Sequence, residues 1–160
     1  FDPPHVGHLY ISKIAIQKLK LNKLFWVVTK KNPLKSKPYL KIKKRINLAK
    51  KITSNDKKIF VKYLEGLVKS KNTYNLLAYL KKKNKNTQLF FIVGADSLKN
   101  FHKWKYWRKI PKLSKIAVFP RKGYSYKLKN HFALKKLSKK DWFYVNCKKI
   151  NISSSLIRKI

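Results

Sequence analysis

Two histidines three residues apart, bracketing a glycine, stand in the opening stretch "FDPPHVGHLY" as His5, Gly7 and His8, behind the paired prolines Pro3 and Pro4. The prolines limit how the chain enters the segment that follows. If a helix begins there, its first amides lack intrahelical partners and together carry about half a positive charge, which makes an anion site. Gly7 lets a ligand approach the backbone closely. Residues three apart share a helix face, so both imidazoles converge on one phosphate. The same residues also read as a loop histidine followed by a partly buried helical one.

At the far end, "NISSSLIRKI" places Ser153, Ser154 and Ser155 at the start of a helix, with Arg158 one turn along from Ser154. Hydroxyls, amides and a guanidinium gathered there hold phosphate oxygens; a plain serine cap on a basic helix is the simpler alternative. A third stretch, "FIVGADSLKNFHKWKYW", puts Gly94 after a strand and Asp96 two residues on. A carboxylate so placed accepts hydrogen bonds from ribose hydroxyls or a base amine, or else caps a helix starting near Ser97. Trp104 and Trp107 read as core, or as faces for a planar ring.

These residues need elements to hold them. Apolar runs at Leu24 to Val28, Ile59 to Leu64, Gln88 to Val93, Ile116 to Phe119 and Trp142 to Val145 predict strands, and helical patterns fall between them. "LYISKIAIQKL" keeps Ile11, Ile14, Ala15 and Leu19 near one face; "YLKIKKRINLAKKI" and "TYNLLAYLKKK" behave similarly, with shorter helices at "KYWRKI" and "FALKKL". The alternation predicts a single α/β domain over residues 1–160, doubly wound around a mostly parallel sheet. "LFFIV" suits a central strand. In such a sheet ligands sit beyond the carboxyl ends of the strands, and the unusual stretches, "GADS" and "NISSS" among them, follow strands. A first strand missing ahead of Phe1 would give "DPPHVGH" the same position.

The charge is abnormal: 42 Lys+Arg against 5 Asp+Glu give a formal +37, which suits a polyanionic partner. Only Arg45, Arg108, Arg121 and Arg158 are arginine, the side chain best shaped for bidentate phosphate and guanine contacts, and the lysines run through every segment. That spread favours solvated faces over a nucleic-acid groove. Cys147 is the sole cysteine, so the chain builds no disulfide framework or cysteine metal cluster and fits a reducing, cytoplasmic setting. No run of about 18 apolar residues is present to span a bilayer, so no membrane partner is expected.

Taken together and in order, "FDPPHVGHL", "GADSL…W" and "ISSSLIR" resemble the HxGH nucleotidylyltransferase superfamily, and within it the bacterial nicotinate-nucleotide adenylyltransferases. The resemblance covers nearly the whole chain; the family's Gly-Gly-Ser/Thr before the first phenylalanine is absent, as is its C-terminal tail. It implies a Rossmann-like fold and adenylyl transfer from ATP to nicotinate mononucleotide, releasing pyrophosphate, with Mg²⁺ carried on the ATP phosphates. It further implies that His5 and His8 act at the reacting phosphate. Phe1, Gly7, Gly94, Asp96, Ser153, Ser154, Ser155 and Arg158 would bind ATP, with Ser155 where threonine is usual. Lys35 in "NPLK", Thr73 and Trp104 would meet the acceptor nucleotide. A phosphopantetheine adenylyltransferase and an inactive lysine-rich nucleic-acid-binding module are the rival readings.

Overall fold

The computed structural model describes residues 1–31, 37–121, 124, 131–148 and 152–159. The chain divides into two compact units, one formed by Phe1–Lys71 with Ile152–Ile160, the other by Asn72–Asn151.

In the first unit, helix α1 (Val6–Lys18) leads to strand β1 (Leu24–Val27), then α2 (Ile42–Thr53), β2 (Ile59–Lys62) and the single turn α3 (Glu65–Val68); α7 (Ser154–Ile157) belongs here as well. β1 and β2 are parallel, with Leu24 opposite Ile59 and Val27 opposite Lys62. Leu24 and Trp26 of β1 and Val28 just beyond it are buried on one face, while Phe25 and Val27 on the other are half-buried. α2 buries Arg45, Ala49 and Thr53, which recur every four residues and so form one stripe, and the helix packs against β2. α3 has no counterpart in the sequence reading; it stops at Lys69, whose φ of 51° is left-handed.

The second unit runs α4 (Thr73–Lys83), β3 (Phe90–Gly94), α5 (Ala95–Leu98), 3₁₀ turns at Phe101–Lys103 and Trp107–Lys112, β4 (Lys115–Phe119), α6 (Phe132–Lys136) and β5 (Trp142–Tyr144). Asn72 caps α4 by accepting from the Asn75 amide at 2.9 Å, and Lys81, Lys82 and Lys83 close the helix where cations favour its dipole. The three strands are parallel in the order β3-β4-β5. All five strands among the described residues, and the α/β class, match the pattern predicted from the sequence.

Two local readings are corrected and one is refined. The middle strand of this unit is β4, not β3: Ile116, Ala117 and Val118 are fully buried between two neighbours, whereas Phe90, Phe91 and Ile92 are only half-buried. "KYWRKI" runs into a short helix, as expected, of 3₁₀ type over Trp107–Lys112; Tyr106 before it adopts a φ of 58° and Pro111 removes an amide. Asp96 does not cap α5: Gly94 holds the N-cap position and no side chain bonds there. The core of the unit gathers Leu77, Val93, Leu98, Phe101, Ile110 and Ile116, large side chains whose burial stabilises the fold by about 1.5–3 kcal/mol each. Among the described residues no helix is long and apolar enough to cross a membrane.

Candidate active site

His5 is the N-cap of α1, in extended backbone at φ −154° and ψ 168°. Its Nδ1 accepts from the Gly7 amide at 3.1 Å, while the Nδ1 of His8 accepts from the His5 amide at 3.2 Å. This is a reciprocal capping box built from two imidazoles instead of the usual serine and glutamate. It has a chemical consequence. With Nδ1 of each ring acting as acceptor, the neutral ring carries its hydrogen on Nε2, so both imidazoles are set as Nε2–H donors.

The pair is held from several sides. Its ring centroids lie 3.8 Å apart. Phe1 stacks on Trp26 at 4.8 Å and meets the His8 ring edge-on at 4.6 Å. Trp26 Nε1 donates to Ser12 Oγ at 2.8 Å, and Ser12 Oγ donates to the His8 carbonyl at 2.8 Å, which ties α1 to β1. His5 is buried and His8 half-buried. The room left at Gly7 is used by the protein itself: a Cβ there would collide with Ile152 and lie 2.8 Å from His5 Nδ1.

The serine-arginine helix docks on the residues just before His5. Ser153 caps α7 by accepting from the Leu156 amide at 3.1 Å, and Ser154 Oγ donates to the Pro3 carbonyl at 2.8 Å. Arg158 donates through Nη1 to the Asp2 carbonyl at 2.5 Å and through Nη2 to Ser155 Oγ at 3.1 Å. Five N–H groups fan out from a guanidinium, so donors remain for an anion. The Asp2 carboxylate accepts from the Tyr39 and Leu40 amides at 2.7 and 3.0 Å and lies 4.0 Å from Arg45 Nε. Arg45, 4% exposed, donates to the carbonyls of Leu40, Thr29 and Lys30 at 3.0, 2.8 and 2.6 Å. Buried Glu65 adds an acceptor for the Lys30 amide at 3.0 Å. A cavity of about 580 Å³ lies along α2, lined by Leu40, Leu48 and several lysines; none of the motif residues lines it.

In the second unit Gly94 has an ordinary φ of −75°, so its value is space: a Cβ would sit 2.5 Å from Asp96 Oδ1. The carboxylate folds back over Gly94, and its Oδ2 lies 3.9 Å from Arg121 Nε. Thr73 opens α4, half-buried. Trp104 rims the core, meeting Phe91 at 5.9 Å and Phe101 at 5.3 Å, while Trp107 is buried in it beneath the Arg108 guanidinium at 4.7 Å. Tyr74 packs on Tyr106 at 5.4 Å, so the start of α4 adjoins the Trp104 segment. Lys35 lies outside the described residues.

The structure thus brings His5, Gly7, His8, Ser154 and Arg158 together, with Phe1 against His8. Asp2, Ser12, Trp26, Arg45 and Arg121 were missed by the sequence reading. One signal was available: arginine is rare here, and each of the four takes a specific carbonyl, carboxylate or ring partner.

A parallel α/β fold with paired imidazoles at one helix start and a serine-arginine helix docked beside them defines a nucleotidyltransferase. The chain matches the cytidylyltransferase-like family over residues 1–160 and belongs to it. A probable nicotinate-nucleotide adenylyltransferase of Pelagibacter ubique is 44% identical over 160 residues, covering 100% of this chain and 88% of that protein. One from Rhizobium johnstonii is 33% identical over 175 residues, covering 99% and 87%. Among solved structures, Plasmodium falciparum nicotinic acid mononucleotide adenylyltransferase complexed with NaAD superposes with a TM-score of 0.79 at 25% identity, covering 99% of this chain and 78% of that one.

Proposed function

We infer that this chain joins ATP and nicotinate mononucleotide, forming nicotinate adenine dinucleotide and releasing pyrophosphate. The observation that carries this is the 44% identity, over the whole of this chain and 88% of the relative, to a probable nicotinate-nucleotide adenylyltransferase, in a chain whose imidazole pair sits with a docked serine-arginine helix. In the reaction a phosphate oxygen of the mononucleotide attacks the α-phosphorus of ATP. The new O–P bond forms as the bond to the β-phosphate bridging oxygen breaks, and that electron pair leaves with pyrophosphate. No enzyme group becomes covalently attached.

Catalysis then rests on positioning and on stabilising charge where it develops. His8 and His5 supply Nε2–H donors to the α-phosphate oxygens. Ser153, Ser154, Ser155 and Arg158 hold the β and γ phosphates, and Phe1 keeps the His8 ring in place. Gly94 and Asp96 serve the adenosine, Thr73 and Trp104 the pyridine ring, and Lys35 the acceptor nucleotide. Among the described residues no three His, Cys, Asp or Glu gather to hold a metal. The proposed Mg²⁺ arrives bound to the ATP phosphates, which supply its hard oxygen ligands. The single cysteine supports a reducing, cytoplasmic setting.

The test is incubation of purified chain with ATP, Mg²⁺ and nicotinate mononucleotide, reading dinucleotide and pyrophosphate. Equal yields of the two are expected, with nicotinamide mononucleotide and phosphopantetheine as comparison acceptors. Absence of dinucleotide, or preference for phosphopantetheine, overturns the assignment.

A further inference from the structure

Asp96 and Arg121 leave adjacent strands at matching places. The parallel register sets Gly94 opposite Phe119, and each charged residue stands two positions beyond that pair, so neighbouring strands deliver them side by side. The Arg121 backbone bridges Tyr124, whose amide donates to the Arg121 carbonyl at 3.0 Å. Asp96 has no capping duty in α5. Its Oδ1 rests in the space that glycine leaves open at position 94, and its Oδ2 faces Arg121 Nε at 3.9 Å. The two side chains are 39% and 29% exposed, so solvent reaches both.

A partly exposed ion pair of this kind adds little to folding stability. What it does supply is orientation, because a guanidinium presents its donors in a rigid plane. A carboxylate held in this way accepts hydrogen bonds and gives none, so it selects a ligand's hydroxyl donors.

We propose that Arg121 is a positioning residue that orients the Asp96 carboxylate to accept hydrogen bonds from the ribose hydroxyls of ATP. The proposal rests on the adenylyl-transfer reading above and adds to it the residue that sets selectivity for the sugar.

The experiment compares ATP with 2′,3′-dideoxyATP, which has the same base and phosphates and lacks both hydroxyls. Wild type, Arg121→Gln, Arg121→Lys, Asp96→Asn and the Arg121→Gln/Asp96→Asn double variant are measured by initial rates at saturating nicotinate mononucleotide. Equilibrium binding of each nucleotide without acceptor runs in parallel. Arg121→Gln is expected to raise the KM and Kd for ATP roughly fivefold to tenfold, about the worth of one well-placed hydrogen bond. Its kcat and thermal midpoint stay near wild type, its handling of dideoxyATP is unchanged, and Arg121→Lys recovers part of the loss. In the Asp96→Asn background, Arg121→Gln adds nothing further. Unchanged ATP binding overturns the proposal. So does an equal loss with both nucleotides, which would place Arg121 on a phosphate or Asp96 on the base, and so do additive effects of the two substitutions. Failure of wild type to form dinucleotide defeats the assigned reaction instead, while the binding comparison still decides the role of Arg121.

Discussion

His8 performs two tasks that substitution can separate. Its Nδ1 accepts from the His5 amide at 3.2 Å, which closes the start of α1, and in the proposed reaction its Nε2–H donates to the reacting phosphate. Glutamine at this third helical position takes the ordinary capping-box role, accepting from the same amide without an imidazole. His8→Gln should therefore keep the fold and lose the donor. Removal of one donor aimed at transition-state charge lowers kcat about 10²- to 10³-fold, roughly 2.7–4 kcal/mol. Loss of the cap in His8→Ala adds a stability cost of about 1 kcal/mol, which for a chain of this length lowers the melting midpoint by roughly 2–4 °C. Pyrophosphate release gives kcat and thermal unfolding gives the midpoint, each for both variants. The expected pattern is a large kcat loss in both and a lowered midpoint in His8→Ala alone. A His8→Gln enzyme within about threefold of wild-type kcat, far from the loss of a transition-state donor, would refute the reasoning, as would a kcat loss that tracks a lowered midpoint.

Arg45→Ala strands three carbonyl acceptors in a buried site; about 3–5 kcal/mol of stability should be lost in denaturant titration, and a loss under about 1 kcal/mol would contradict that role. Gly94→Ala sets a Cβ 2.5 Å from Asp96 Oδ1. Because a flexible side chain can swing away, the melting midpoint should hold while the KM for ATP rises several-fold; an unchanged KM would show that the position of the carboxylate is immaterial. Ser154→Ala removes the 2.8 Å bond to the Pro3 carbonyl. It should weaken ATP binding about tenfold with kcat less affected, the scale of one hydrogen bond and its stranded acceptor, as read by calorimetric titration.

What could be read in the sequence followed from short-range rules. Apolar runs marked all five strands, and Thr73 to Lys83 coincided with α4 because its cap, apolar spacing and basic end agree. Hidden features depended on partners distant in the chain. Nothing local shows that Asp2 accepts from amides near residue 40, that Trp26 ties β1 to the His8 carbonyl through Ser12, or that register sets Asp96 beside Arg121. The alternative role of Asp96 as a helix cap falls away because the cap position is taken two residues earlier, at Gly94. The misplaced middle strand has a similar origin: composition marks a run as apolar, but only pairing decides which run lies between two others.

Ser154 and Pro3, joined by a hydrogen bond, are 151 positions apart. Closing so long a loop carries an entropic cost that defers such a contact until late in folding. During translation the imidazole pair leaves the ribosome early, and its serine-arginine companion follows only after both sheets have been synthesised. A polypeptide severed ahead of residue 152 would thus retain every described strand and the capped histidines, yet lose the helix proposed to steady the outer phosphates of a nucleotide.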